Sequence, residues 1–396
     1  MKPGNSVLSG YGTTIFEVMS GLARQHGAIN LGQGFPEGLE PADILRVAGQ
    51  SVVDGPNQYP SMMGIPELRQ AMADHEHRFY GLTVDWEREV MVTSGATEAL
   101  ADALFGLIEP GDEVVLMEPL YDSYLPIVRR AGGVPKVVRL PPPDWALPRA
   151  ELTAAFSPRT KLVIVNSPMN PCGKVFDADE LAFLAGLILE HDAYAVCDEV
   201  YEHLVFDEMR HVPLMTLPGM RDRCVRIASA GKTFSVTGWK VGMITAAPNL
   251  LHPVVKAHQY LTFTTPPSLQ MAVAYGLRQG DAYFRGLTHD MQSRRDHLMT
   301  GLAELGFEVL PCGGSYFLTA DYRPLGFDGD DLAFCRHITE AAGVTAVPVG
   351  AFYHQAPPRH FVRFCFAKSE TSLTEALRRL KTWKDTRSRN HQAEMP

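Results

Sequence analysis

The sequence lacks a hydrophobic run of eighteen residues, so it contains no predicted membrane-spanning helix. Its first residues, Met1-Lys-Pro-Gly-Asn-Ser, also lack the apolar stretch of a secretory signal. The six cysteines include no C-x-x-C pair, and several lie within apolar runs, as buried free thiols do. Together these absences predict a reduced, cytoplasmic protein.

An excess of positive charge is missing as well. The formal net charge is −9, and no basic run with interleaved aromatics occurs, which argues against nonspecific binding to nucleic acid or to an anionic membrane surface. The fourteen histidines show neither an H-x-x-x-H motif nor a Cys/His ligand spacing, so no structural metal is expected. With 45% hydrophobic and 20% charged residues, the 396-residue chain has a globular composition and room for two domains.

Short apolar runs alternate with longer amphipathic stretches from about residue 90 to residue 224. The apolar runs are predicted as strands at 89–93, 113–117, 136–140, 161–165, 194–197 and 224–228. Helices are predicted between them at 97–107 and 177–191, and the second has a capping-box pattern in Asp177 and Glu180. This alternation predicts an α/β fold with a mostly parallel central sheet flanked by helices.

The pattern changes after residue 281. A long helix is predicted from Ala282 towards Leu305, followed by a smaller α+β unit with strands near 315–320 and 361–366 and helices near 330–342 and 372–383. We therefore predict a large α/β domain over residues 42–281. A small domain is expected from residues 1–41 and 282–384, and a polar tail over residues 385–396.

Lys232 lies in a turn of small residues, Ser229-Ala-Gly-Lys-Thr-Phe-Ser-Val-Thr-Gly-Trp-Lys240. Such a turn lets the lysine approach a flat ligand, and its amine can react with an aldehyde. Lys240, eight residues on, can hold a phosphate at the same time. Taken alone, the string is equally compatible with a surface loop carrying two solvated lysines, so other residues have to decide.

Three further loops follow predicted strands, where open α/β sheets bind their ligands. The first is Ser94-Gly95-Ala96-Thr97, whose small residues leave helix N-terminal amides free for a phosphate, although a plain capped turn has the same composition. The second is Asn166-Ser-Pro-Met-Asn-Pro-Cys-Gly173, whose prolines stiffen the loop and can present Asn170 rigidly. Proline and glycine are also common in ordinary turns, so a turn without a ligand has the same composition.

The third loop is Cys197-Asp-Glu-Val-Tyr201. A carboxylate at the end of a buried strand needs a partner, because an unpaired buried charge is costly. Asp198 could instead cap a helix while Tyr201 packs on the core. We favour the ligand-binding interpretation, because Lys232 lies only one predicted strand further along.

These strings together resemble the class I aminotransferases of fold type I, which use pyridoxal phosphate. Three more segments point to the branch containing methionine and kynurenine aminotransferases (glutamine transaminase K). They are Thr13-Thr-Ile-Phe16 with Ile29-Asn-Leu-Gly-Gln-Gly-Phe-Pro-Glu37, Asn57-Gln-Tyr-Pro60, and Glu118-Pro-Leu-Tyr-Asp-Ser-Tyr124. The resemblance covers essentially the whole chain.

The resemblance implies which residues hold each part of the cofactor. Residues expected at the phosphate are Gly95, Ala96, Ser229 and Lys240. Lys240 stands where many relatives carry arginine, and either side chain can bind a phosphate.

The resemblance also implies which residues contact the cofactor ring. Asp198 would pair with the protonated ring nitrogen, which makes the ring an electron sink. Asn170 and Tyr201 would share the ring oxygen, and Tyr121 would stack on the ring. Lys232 would be the covalent anchor, and also the base and acid that moves the α-proton of the substrate.

For the substrate, the resemblance implies Arg363, in His360-Phe-Val-Arg-Phe-Cys-Phe366, as the partner of the α-carboxylate. The alternative is an outward-facing arginine on a strand with buried apolar neighbours. Gly34 would lie beside the same carboxylate, and Asn170 would also contact the substrate. The remaining wall is expected to be apolar or aromatic: Ile15, Phe16, Tyr121, Phe263 and Met62–Met63.

The implied activity is ping-pong transfer of an amino group from methionine, glutamine, phenylalanine or kynurenine to a 2-oxo acid. No second arginine can be assigned to a distal carboxylate, so aspartate is not expected as a substrate. The resemblance also implies a homodimer in which Tyr59 reaches the phosphate of the neighbouring subunit. Alternatives are β-elimination from cysteine S-conjugates, a non-enzymatic regulator built on this fold and, more remotely, a nicotinamide oxidoreductase, whose glycine fingerprint is missing.

Overall fold

The computed structural model describes residues 2–393. Its strands, in chain order, are β1 (Ile29–Asn30), β2 (Val90–Thr93), β3 (Glu113–Glu118), β4 (Val134–Arg139), β5 (Thr160–Asn166), β6 (Tyr194–Asp198), β7 (Cys224–Ser229), β8 (Gly242–Thr245), β9 (Glu308–Val309), β10 (Phe317–Asp321), β11 (Val344–Thr345), β12 (Val347–Pro348) and β13 (Phe361–Cys365).

The α-helices connect and cover these strands. They are α1 (Ile15–His26), α2 (Ala42–Asp54), α3 (Pro66–Tyr80), α4 (Ala96–Leu107), α5 (Tyr124–Arg130), α6 (Arg149–Ala155), α7 (Ala178–Glu190), α8 (Ala230–Thr233), α9 (Pro248–Leu261), α10 (Pro267–Leu277), α11 (Asp281–Glu304), α12 (Asp331–Ala341) and α13 (Glu370–Ala393). None of the helices within residues 2–393 is both long and apolar enough to cross a membrane.

The largest sheet has seven strands in the order β2-β8-β7-β6-β5-β3-β4. Its neighbours are parallel from β7 to β4, whereas β8 runs antiparallel to both β7 and β2. The predicted mostly parallel α/β sheet is therefore confirmed. The sequence reading missed β8, because Gly242-Met-Ile-Thr245 is too short for an alternating pattern to stand out.

Helices cover both faces of this sheet, which explains the continuous apolar runs. Along β5, Leu162 and Ile164 pack in one core cluster with residues of α4, and Val163 and Val165 pack in another with residues of α7. A strand buried on both faces has no polar side, so it reads as an uninterrupted apolar run. The predicted capping box at Asp177 is present, with Glu180 contacting the backbone of Asp177 in return.

Two smaller sheets lie towards the end of the chain. One has the order β12-β13-β10-β9, and the other pairs β1 in parallel with β11. The pairing of Ile29 with Val344 ties the beginning of the chain to its last third. The proposed boundaries at residues 41 and 281 remain a prediction.

The C-terminal helix is longer than expected. The polar tail predicted from residue 385 is helical as far as Ala393, because α13 continues to that residue. Thr386 Oγ1 donates to the carbonyl of Thr382 at 2.9 Å, and Arg387 donates to the carbonyls of Leu325 and Gly326. Such polar anchors stabilise a helix end that has no apolar periodicity to reveal it. Residues 394–396 lie outside the described residues.

Candidate active site

A cavity of about 360 Å³ lies at the carboxyl ends of the parallel strands, where this type of sheet binds ligands. Most of the predicted site residues line it: Phe16, Gly34, Gly95, Ala96, Tyr121, Asn170, Asp198, Tyr201, Ser229, Lys232, Lys240 and Arg363. They come from sequence positions far apart, so the fold itself assembles the site.

Lys232 lies on α8, the short helix directly after β7. Its Nζ donates to the carbonyl of Gly34 at 3.3 Å and lies 5.6 Å from the centres of the Tyr201 and Tyr316 rings. Burial lowers the pKa of this amine to about 8. A neutral amine, which is the nucleophilic form, is therefore available near neutral pH.

Asp198 is the last residue of β6 and is buried. Its Oδ2 accepts a hydrogen bond from Tyr124 Oη at 2.6 Å, whereas Oδ1 has no hydrogen-bond partner within the described residues. Burial raises the pKa of this carboxyl to about 6. An unpaired carboxylate oxygen at the floor of a cavity is suited to a cationic donor on a ligand.

Asn166 organises the loop between β5 and α7. Its Nδ2 donates to the carbonyl of Asp198 at 2.8 Å, and its Oδ1 accepts from the amide of Asn170 at 2.8 Å. One side chain thus ties the loop carrying Asn170 to the strand carrying Asp198.

The end of the cavity near α4 is built for an anion. Gly95 precedes α4 with a φ of +87°, and Ala96 is its first residue, so the amides of the first turn face away from the helix. A Cβ at Gly95 would lie only 2.9 Å from Lys240 Cε, which shows how closely the lysine side chain passes over this turn. Ser229 adds a hydroxyl to the same cavity.

Arg363 is buried on β13 at the opposite end of the cavity. It donates to the carbonyl of Gly32 at 2.6 Å and to Asn170 Oδ1 at 2.8 Å, while its Nε has no partner within the described residues. Its guanidinium lies 3.8 Å from the centre of the Phe317 ring and 5.0 Å from that of Phe16. Burial lowers its pKa to about 10, so it remains a cation near neutral pH.

Gly34 leaves no room for a side chain. A Cβ there would overlap the Phe317 ring, which in turn lies under Arg363.

Several predicted residues do not line the cavity of the single chain. Tyr59 is 83% exposed, and its ring packs edge-on against Phe263, with the ring centres 5.7 Å apart. Ile15 and the Met62–Met63 pair pack against the main hydrophobic core. The expectation that Tyr59 serves a neighbouring subunit remains a prediction, as does the proposed role of Phe263 in the substrate wall.

Sequence reasoning assigned no role to Tyr124, Asn166 or Phe317. Tyr124 and Asn166 both occur in quoted motifs, so a signal was present, but their contacts to Asp198 depend on how loops pack. Phe317 lies on β10 in an apolar run with no feature that marks it as a cavity residue.

Two histidines lie close together in the structure, although their spacing in the sequence did not predict this. His75 Nε2 and His203 Nε2 are 2.8 Å apart, next to Glu202. The Glu202 carboxylate already accepts hydrogen bonds from Tyr80 and Arg226. The expectation that no structural metal is present remains a prediction.

Comparison with known proteins agrees with this geometry. Residues 26–380 match the family model for aminotransferase class I and II. The chain belongs to the class I and II aminotransferases. It is 40% identical to the methionine aminotransferase of Escherichia coli over 95% of this chain and 97% of that protein.

Other relatives of this aminotransferase carry different names. The kynurenine–oxoglutarate transaminase 1 of Rattus norvegicus is 36% identical over 96% of this chain and 97% of its own length. The solved structure of the N-succinyldiaminopimelate aminotransferase of Mycobacterium tuberculosis is 45% identical, with a TM-score of 0.94, and the match covers 96% of this chain and 100% of that one. The expected branch is therefore confirmed, and the chain is an aminotransferase.

Enzymes of this family depend on pyridoxal phosphate, and the cavity fits that cofactor. Asp198 Oδ1, which has no hydrogen-bond partner within the described residues, can accept from a protonated ring nitrogen. The turn at Gly95 and Ala96, under Lys240, forms a cradle for a phosphate. The buried amine of Lys232 lines the same cavity and can bond an aldehyde.

Proposed function

We propose that this aminotransferase moves the amino group of an apolar or aromatic L-amino acid, of the methionine, glutamine, phenylalanine or kynurenine type, to a 2-oxo acid. One observation carries the proposal. Among the described residues lining the cavity, Arg363 is the only cation besides the two lysines assigned to the cofactor, and aromatic rings surround it. The site can therefore pair with one substrate carboxylate, and it offers the rings of Phe16 and Phe317 beside that arginine.

The cofactor is proposed to lie with its phosphate at Gly95, Ala96, Ser229 and Lys240. Asn170 and Tyr201 would donate to the ring oxygen, and Tyr121 would stack on the ring. Asp198 would hold the ring nitrogen in its protonated form. When bound, the cofactor supplies an aldehyde for covalent attachment of an amine and a ring that accepts the electron pair left at the substrate α-carbon.

Lys232 is proposed as covalent anchor and as proton carrier. Its Nζ would take the proton from the substrate α-carbon and deliver it to C4′ of the cofactor during the same half-reaction. A pKa near 8 suits both tasks, because the amine can be neutral before the transfer and charged after it. The carbonyl of Gly34, 3.3 Å away, orients the amine.

Arg363 is proposed to bind the substrate α-carboxylate with its planar guanidinium. Asn170 Oδ1 fixes one edge of that group, so substrate and cofactor positions are linked through the same asparagine. Positioning of this kind lowers the barrier mainly by removing orientational freedom.

The relatives' names support this substrate class in part. The methionine and kynurenine enzymes act on side chains that an aromatic cavity accepts. The relative named for N-succinyldiaminopimelate is a competing guide, since it is the most similar of the three in sequence. We rank that substrate lower, because its distal carboxylates would need a further cation in the cavity.

We also propose a homodimer in which Tyr59 reaches the phosphate site of the other subunit. The exposure of Tyr59 and its contact with Phe263 support this arrangement. Elimination from cysteine S-conjugates is a second candidate, because the same α-carbanion can expel a leaving group. Release of pyruvate and a thiol without a 2-oxo acid would favour elimination.

The first test is the visible spectrum of the purified protein with and without added pyridoxal phosphate. We expect a cofactor band in the wild type and none of the same kind in Lys232→Ala. A wild type that gains no band would overturn the cofactor assignment.

The second test compares kcat/KM for methionine, kynurenine, aspartate and N-succinyldiaminopimelate with one 2-oxo acid acceptor. We expect methionine or kynurenine to exceed aspartate. A preference for aspartate or for the succinylated substrate would overturn the proposed substrate class.

A further inference from the structure

His258 lies at the centre of a buried ionic cluster outside the cavity, on α9. Its Nδ1 is 2.9 Å from Glu98 Oε1 and 3.5 Å from Asp102 Oδ2, and its Nε2 is 2.9 Å from the carbonyl of Met62. His258 and Asp102 are completely buried. The cavity lining includes neither His258 nor the two carboxylates.

The contacts fix the protonation of His258. A carbonyl can only accept, so Nε2 must carry a proton, and Nδ1 faces carboxylate oxygens that also accept. Both ring nitrogens are therefore donors, and the ring is an imidazolium. Although burial opposes this charge, the neighbouring Asp102 and Glu98 carboxylates raise the pKa of His258 to about 9.

One arm of the cluster leads to the phosphate cradle. The second carboxylate oxygen of Glu98 accepts a hydrogen bond from the amide of Ser94, the residue before Gly95. In addition, the carbonyl of His258 accepts from the amide of Phe263 at 2.9 Å, at the end of α9. Thr265, just beyond, contacts Ser94 through their hydroxyls at 3.2 Å.

The other arm leads to the segment that carries Tyr59. His258 holds this segment by the carbonyl of Met62, and Gln270 holds it by the amide of Ile65 at 2.8 Å. The same Gln270 donates to the carbonyl of Thr265 at 2.7 Å. Gln270 therefore links the segment at Ile65 to Thr265, which in turn contacts Ser94.

We propose that His258 is a positioning residue that locks the phosphate cradle at Ser94–Ala96 to the segment bearing Tyr59. The inference rests on the proposed function, because it assumes that this cradle binds the cofactor phosphate. His258 acts through Glu98 and through the backbone of Met62, without touching the cofactor.

The proposal predicts a specific loss of phosphate binding. We measure dissociation constants for pyridoxal phosphate and for pyridoxal, which lacks the phosphate, in wild type, His258→Gln and His252→Gln. His252 is exposed on the same helix and serves as the matched control. In His258→Gln we expect affinity for pyridoxal phosphate to fall about tenfold or more, with pyridoxal nearly unchanged, since a bond to a charged group is lost.

The outcomes separate the two proposals. Equal weakening of both ligands would mean that His258 is only structural, and unchanged affinity in His258→Gln would overturn the inference while leaving the function intact. A wild type that binds neither ligand would instead refute the proposed function. Should His258→Gln fail to fold, Glu98→Gln tests the same arm and is expected to give a smaller loss confined to pyridoxal phosphate.

The charge on His258 gives a second readout. The titratable groups of the described residues that face it are Glu98 and Asp102, both on α4, and the segments at Met62 and Phe263 meet it through backbone atoms. As pH rises through about 9 the imidazolium loses a proton and one of its bonds. We expect cofactor release to accelerate there in wild type relative to His258→Gln, and parallel pH profiles would count against the proposal.

Discussion

Two groups of buried charges each take residues from the stretch between Asp198 and Glu202, and their pairing differs. Behind the sheet, Arg226 donates to Glu76, Glu199 and Glu202 and lies 4.7 Å from the centre of the Tyr80 ring. In the cavity, Asp198 Oδ1 and Arg363 Nε have no hydrogen-bond partner within residues 2–393; in the first group the same holds for Glu76 Oε2, although Glu76 Oε1 accepts from Arg226.

The two groups even share a segment. From Asp198 to Glu202, residues 198 and 201 face the cavity, whereas Glu199 and Glu202 turn to Arg226. Burial alone would raise the pKa of Glu202, but Arg226 lowers it below its usual range. The first group thus has its charges balanced within the protein, whereas Asp198 and Arg363 combine an unpartnered atom with a position in the cavity lining, where a ligand can reach them.

The largest effect is expected from breaking the paired group. Arg226→Met leaves three buried carboxylates without their cation, so we expect the free energy of unfolding to fall by about 3–5 kcal/mol. Urea denaturation of the apoprotein measures it, with Arg210→Met as an exposed control. A loss as small as the control's would mean that the group contributes little to stability.

The unpaired group should respond in the opposite sense. Asp198→Asn is expected to lower kcat of the holoenzyme about 10²–10³-fold, because the ring nitrogen loses its charged partner. The same change should stabilise the apoprotein by about 1–3 kcal/mol at neutral pH, because it removes a buried charge.

The pH dependence gives the sign of that second effect. Burial raises the pKa of Asp198 from 3.8 to about 6, so the folded apoprotein binds this proton more tightly than the unfolded chain does. As pH rises from 3.8 to about 6, the free energy of unfolding of the wild type should therefore fall relative to that of Asp198→Asn. Above this range the difference between the two proteins should stay constant. Urea midpoints across this range measure the difference, and a constant difference would contradict the assignment.

Substitution of Arg363 tests whether carboxylate binding needs the planar guanidinium or only a positive charge. Arg363→Lys keeps a cation but cannot contact the carbonyl of Gly32, Asn170 and a substrate carboxylate together. We expect kcat/KM for methionine to fall about tenfold, mainly through KM. Arg359→Lys, on the exposed surface nearby, is the control, and an equal KM in both variants would argue against carboxylate binding.

The smallest effect is expected at Lys368, which is buried just outside the cavity. Its Nζ donates to the carbonyl of Phe35 at 3.0 Å and lies 3.6 Å from the centre of the Phe35 ring, which lines the cavity. Lys368→Met removes about one hydrogen bond, so KM should rise a few-fold while kcat stays unchanged. Steady-state kinetics beside the exposed Lys381→Met decide whether the contact matters.

The sequence predicted the cavity better than the paired group, for a physical reason. Asn170, Asp198 and Lys232 follow strands whose apolar runs are easily recognised, and parallel strands bring their carboxyl ends to one edge. Arg226 meets Glu76 across 150 residues, through a contact between a strand and a helix that no local pattern specifies. Tyr124 was missed for the same reason, since its bond to Asp198 depends on how α5 packs.

The segment from Gly32 to Phe35 offers three backbone carbonyls to cations: Arg363 donates to Gly32, Lys232 to Gly34 and Lys368 to Phe35. Two of these donors are the groups proposed to engage substrate and cofactor, and the third is absent from the cavity lining. A short segment near the beginning of the chain is thus joined by hydrogen bonds to three side chains from distant parts of the sequence. Any displacement of this one segment would alter the surroundings of all three cations at once.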